Sequence, residues 1–158
     1  MKIVGLKVES KRDAQHAYKA LDSKQDAGET EYYEVLGMWK NDKGKVHSKY
    51  YGNHERLLGT AVGALFGVIP AVIGYYIGRH EMPKGQVQTK FLNELAGFVD
   101  NGGAAIFVLV DDAEADPLVA YFNESYPGNE TEIADTAQFQ ADVAKLEEEA
   151  TQAAASES

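Results

Sequence analysis

The chain contains no cysteine, which excludes a disulfide framework and any thiolate metal site. Basic residues are scarce where acidic ones are plentiful. Residues 1–80 carry 12 Lys and Arg against 9 Asp and Glu, whereas residues 81–158 carry 3 against 16. A formal net charge of −10 repels phosphate backbones, so nucleic acid is not an expected partner. The acidic half is expected to be a solubilising appendage. Met1 to Lys7 has charges within its apolar stretch and lacks the apolar core of a secretory signal, so a cytoplasmic N-terminus is expected.

Catalytic patterns are also lacking. The histidines are His16, His47, His54 and His80, and none stands at the spacing of a zinc-binding helix. The acidic run Asp111-Asp112-Ala-Glu114-Ala-Asp116 lacks the glycine and distant glutamate of a calcium loop, and reads as a solvated acidic loop. No phosphate-cradling glycine loop and no Gly-x-Ser-x-Gly elbow is present. The expectation is therefore a non-enzymatic protein with no catalytic residues, no metal and no cofactor.

What is present is an ordered alternation of elements. Ile3 to Glu9 reads as a strand. Ser10 to Asp13 reads as a helix start, followed by Ala14, Ala17, Tyr18 and Leu21 at helical spacing, with Gly28 as the stop. Thr30 to Lys40 reads as a long strand, Asn41 to Gly44 as a turn and Val46 to Tyr51 as the returning strand. Val87, Phe91, Leu95 and Phe98/Val99 mark another amphipathic helix. Ala104 to Val110 is an unbroken apolar run, as in a central strand. Asp116-Pro117 reads as the start of a short helix, Glu130 to Ala134 as a short edge strand, and Phe139, Val143, Leu146 and Ala150 as a last amphipathic helix.

Together these give an α+β fold: a ferredoxin-like split βαβ antiparallel sheet with an inserted glycine-rich helical hairpin and a C-terminal helical extension. The expected parts are residues 1–53 and 81–135 as the two halves, 54–80 as the insert, and 136–158 as a C-terminal helix and frayed acidic tail. Such a sheet leaves one face open. The tyrosines and tryptophan of the hairpin (Tyr32, Tyr33, Trp39, Tyr50 and Tyr51) are expected either to pack across strands or to form a dimer face. A face lined by Tyr33, Val35 and Trp39 also admits a small-ligand site.

The least ordinary segment is 57–78, which has no charge in 22 residues. Gly59, Gly63 and Gly67 recur every fourth residue, and Gly74 and Gly78 repeat the spacing beyond Pro70. Each helical glycine costs roughly 0.8–1 kcal/mol relative to alanine. Close approach of a second backbone offsets that cost, so the stripe is a helix-packing signal. Three arrangements remain open. One is a membrane-spanning helix, with Tyr75 and Tyr76 as interface aromatics. Another is a two-helix hairpin broken at Pro70, set in one leaflet or paired with another subunit. The last is a hairpin folded over its own sheet. The expected location is cytoplasmic, or peripheral or integral to the cytoplasmic membrane, and the expected partner is a second copy of the chain.

The layout resembles the bacterial family catalogued as domain of unknown function 1269. The resemblance rests on Tyr32–Gly44, on Gly59-Thr-Ala-Val-Gly63-Ala-Leu-Phe-Gly67-Val-Ile-Pro70, and on Phe91 to Leu95 leading to Gly102 and the run ending at Val110. Gly74-Tyr-Tyr-Ile-Gly78 and the long Ala/Glu tail depart from the family pattern. The resemblance implies a glycine-rich insert and possible membrane association, and implies no activity.

Overall fold

A computed structural model describes residues 1–51, 69–70, 97–99, 103–142, 144–145 and 148. The strands are β1 (Lys2–Val8), β2 (Glu34–Lys40), β3 (Val46–Tyr51), β4 (Ala104–Val110) and β5 (Thr131–Asp135). Helix α1 spans Lys11–Asp26 and α2 spans Asp112–Ser125; a third helical stretch, α3, covers 136–142. The strands form one antiparallel sheet in the order β3-β2-β4-β1-β5. The fold is thus α+β with an open five-stranded sheet.

Local chemistry sets the element ends. Ser10 is extended and its hydroxyl accepts from the Asp13 N–H at 3.2 Å, which satisfies one of the free donors at the start of α1. The helix closes ahead of Gly28, whose φ of +76° suits glycine. Between β2 and β3 the Asn41 carboxamide oxygen accepts from the N–H groups of Lys43 and Lys45 at 3.0 and 2.8 Å, and Gly44 takes φ +79°. That side-chain-built turn fixes the hairpin register, Lys40 opposite Val46.

Strand order follows from polarity. Ala104–Val110 is buried along its whole length and lies between β2 and β1. Val46–Tyr51, with Ser48 and Lys49 exposed, lies outside β2. A returning hairpin strand can lie on either side of its partner, and here the position against two neighbours goes to the run with no polar side chain. Helix α1 connects β1 to β2 with β4 between them, and α2 connects β4 to β5 with β1 between them.

Several expected boundaries shift. Strand β2 begins at Glu34 rather than Thr30; ahead of it the Tyr33 N–H still donates to the Leu109 carbonyl at 2.8 Å, and the Tyr32 and Tyr33 hydroxyls donate to Asp22 and Asp111, each at 2.9 Å. Helix α2 begins at Asp112, so Pro117 lies inside it rather than at its first position. Asp112 and Glu114 place negative charge in the first turn, where the helix dipole favours it, and the run expected as a solvated loop is the start of this helix. The short strand anticipated at 130–134 is β5, an outer strand of the main sheet.

The sheet is buried on both faces. On the first, Val4, Leu6, Val8, Val35, Ile106 and Val108 join Ala14, Ala17 and Leu21 of α1 and Ala115, Leu118 and Phe122 of α2 in one core. On the second, Ile3, Leu36, Met38, Phe107 and Leu109 are all 0% exposed, and none belongs to the first core. The expectation of an open face does not hold for these rows. Ile69, Phe98, Val99 and Phe139, all in helical residues, are likewise buried and lie outside the first core.

Candidate functional site

The residues expected to carry function fall into two groups. Gly59, Gly63, Gly67, Gly74, Gly78, Tyr75 and Tyr76 lie outside the described residues. Pro70 is described: it is helical and half-buried beside the fully buried Ile69. No helix among the described residues is long and apolar enough to cross a membrane.

The hairpin aromatics are not brought together on one face. Side chains alternate across a sheet, so Tyr50 and Tyr51 must point to opposite sides. Tyr51 belongs to the first core and stacks on Tyr18 of α1, ring centroids 4.8 Å apart. It lies so close over Gly37 that a Cβ there would sit 2.7 Å from the ring. Tyr50 is opposite Leu36, on the second face. Trp39 shares the first face with Tyr51, stacks on His47 at 6.0 Å and carries Lys11 Nζ 4.8 Å above its ring. Tyr33 precedes β2 and is tied to Asp111. Val35 is fully buried, which removes it as the lining of a ligand face.

Two polar clefts lie at strand ends. One, of about 450 Å³, is lined by Lys7, Val8, Glu9, Gly103, Gly128, Asn129 and Glu130. The other, of about 330 Å³, is bounded by Gln25, Gly28, Thr30, Glu31, Tyr32, Tyr33 and Asp111. Among the described lining residues, neither pairs a nucleophile with a base. Lys7 and Glu130 face each other at 3.9 Å in the first, and Tyr33 donates to Asp111 in the second. Among the described residues no group of three or more His, Asp or Glu could hold a metal ion.

Among the described residues, the titratable groups that depart from their ordinary values are mostly phenols. Burial raises Tyr32, with its hydrogen bond to Asp22 adding to the shift. Burial, then the charge of Glu34, pushes Tyr50 up to about 12. Burial raises Tyr51, and raises Tyr126 with help from Tyr121 and Asp13. Asp112 is held low by its 2.9 Å contact with the N-terminal ammonium. A raised phenol pKa means that the folded state keeps its proton while the unfolded chain gives it up near pH 10. This contribution to stability is intact below pH 10 and is lost as pH rises toward 12. The urea midpoint is therefore expected to fall progressively over that window, and phenolate absorbance to rise later in native than in unfolded protein. Superimposed absorbance titrations would show that the phenols are not shielded.

The outer strands form the remaining polar surface of note. Lys49 stands on β3, and Lys43 and Lys45, with Asp42, in the turn before it; Glu132 and Asp135 stand on β5, and Glu130 just before it. The sequence showed a basic first half and an acidic second half, but only the strand order turns that asymmetry into two opposed edges of one sheet. Lys11 and His47, which both lie against Trp39, also went unremarked: the Lys11 contact depends on α1 lying beside the hairpin, while His47 is the direct cross-strand partner of Trp39. Comparison of the chain with protein families, with curated proteins and with solved structures finds no match.

Proposed function

We propose that the chain is a non-enzymatic, self-associating protein built on a ferredoxin-like split βαβ frame, with the glycine-spaced segment 57–78 as its helix-packing element. Support for the frame comes from the two helical crossovers, each enclosing one strand, with β3 as an added outer strand. The observation that carries self-association is that, among the described residues, β3 and β5 each pair on one side only. The central rows of both faces are buried, which leaves the outer strands as the place where a further strand adds. Ile69 supports the packing role. It lies in the middle of the glycine-spaced segment, is helical and is 0% exposed within a single chain. Burial inside one copy favours a segment that packs on protein over one that faces lipid. The layout resemblance to the uncharacterised family adds no chemistry to this reading.

Two measurements test it. Light scattering in detergent-free buffer is expected to give a mass above that of one chain, and a monomer at every concentration overturns self-association. Gly63→Leu is expected to lower the melting temperature or the oligomer mass by blocking close backbone approach. A variant equal to the parent in both removes the packing role from the segment.

A further inference from the structure

We infer that His47 is a proton-operated latch on the turn between β2 and β3: the neutral ring closes the turn through Asn41, and the charged ring releases it. The latch acts on the hairpin alone and does not depend on self-association.

The hydrogen bonds around Asn41 assign the imidazole its protonation state. The Asn41 carboxamide oxygen accepts from two main-chain donors, the Lys43 and Lys45 N–H groups, at 3.0 and 2.8 Å. A main-chain N–H only donates, so this end of the carboxamide must be oxygen and the other end NH2. That NH2 lies 2.9 Å from His47 Nε2. It can only donate there, so Nε2 presents its lone pair and the ring proton sits on Nδ1. A charged imidazole carries N–H at both nitrogens. It would set N–H against N–H and lose this bond. The contact therefore holds while the ring is neutral and is lost as pH falls through the range in which imidazole takes up a proton.

One residue carries both halves of the device. The oxygen of Asn41 organises the turn, and its NH2 reads the state of His47. When the charged ring repels the NH2, the carboxamide is pushed to rotate, and the Lys43 and Lys45 N–H groups lose their acceptor. The charges at this end of the hairpin are mostly positive. Strand β2 contributes Lys40, the turn Asp42, Lys43 and Lys45, and β3 Lys49. Helix α1 holds Lys11 Nζ 4.8 Å from the Trp39 ring, on which His47 also stacks at 6.0 Å. Strand β4 places the uncharged Ala104 opposite Trp39. Asn41 and His47 are half-buried, so protons reach the ring without the sheet unfolding.

Nuclear magnetic resonance of the whole chain tests the latch between about pH 8 and about pH 5.5. Carboxylates ordinarily titrate near ~4, so this window follows imidazole. At the upper end the ring-nitrogen signals of His47 are expected to show the Nδ1–H form, with the exposed His16 as reference in the same spectra. On acidification the Lys43 and Lys45 amide signals are expected to move toward their unfolded positions in step with the His47 ring. Asn41→Asp keeps an oxygen for the two main-chain donors and gives the charged ring a carboxylate to donate to. His47→Gln offers the Asn41 NH2 an oxygen that does not titrate. In both variants the turn signals are expected to stay in place across the window. A parent ring with its proton on Nε2 at the upper end overturns the assignment. Turn signals that ignore the ring in the parent, or that move as far in the two variants, overturn the latch.

Discussion

Phe107→Ala is expected to lower unfolding stability by about 3–5 kcal/mol, the usual cost of emptying a buried phenylalanine site. Phe107 lies at the centre of β4, opposite Gly5 of β1 and Leu36 of β2, and is 0% exposed. Gly5 contributes no side chain, so Phe107 and Leu36 supply the apolar volume of that row on the three central strands. A domain of this size is stabilised by roughly 5–15 kcal/mol in total, so the variant falls close to the folding threshold. Urea denaturation measures the effect as a lower midpoint at unchanged slope. The exposed Ile133 is the control: its replacement by alanine should move stability by no more than about 0.5 kcal/mol. If Phe107→Ala behaved like that control, the second face of the sheet would be an open surface, and the ligand-binding and dimer-face readings of it would return.

That experiment bears on what the sequence could reveal. Features decided within a few residues were legible. Ser10 capping α1, the Asn41 turn with Gly44, and Ala104–Val110 as a central strand all follow from local chemistry. The element between Asp111 and Asp116 was misjudged because Pro117 looked like a first helical position; the acids before it make an equally good helix start, and only the main chain decides between them. The side of β2 on which β3 lies was not legible, since a tight turn fixes register but not position in the sheet. The same gap hid the candidate site. Tyr33, Trp39 and Tyr50 lie close in sequence, yet alternation and the late start of β2 send them to three different environments. Lys49 and Glu132 lie far apart in sequence, and only the order β3-β2-β4-β1-β5 places them on opposite rims of one sheet.

Gly103→Ala is expected to destabilise the protein by about 1–3 kcal/mol, the cost of forcing extra volume into a tightly packed position. Gly103 is the residue just before β4. A Cβ there would lie 2.9 Å from the Phe98 carbonyl oxygen and 3.0 Å from the Val8 carbonyl oxygen. Both are main-chain atoms, so neither can rotate aside as a side chain would. Relief requires that the end of β1 move away from β4, or that the helical residues 97–99 shift as a unit. Gly28 provides the contrast. A Cβ at Gly28 meets nothing within 4 Å, and its cost comes only from the positive φ of +76°, roughly 1–2 kcal/mol for a residue other than glycine. The two variants separate by mechanism when asparagine, which tolerates a positive φ, is placed at each site. Gly28→Asn should recover most of the Gly28→Ala loss, while Gly103→Asn should cost at least as much as Gly103→Ala, because it presses more volume on the same main-chain atoms. Thermal unfolding of the four variants reads this directly. A Gly103→Ala variant as stable as the parent would mean that the start of β4 accommodates the methyl locally, and that the close approach of these three backbones does not hold the central strand in place.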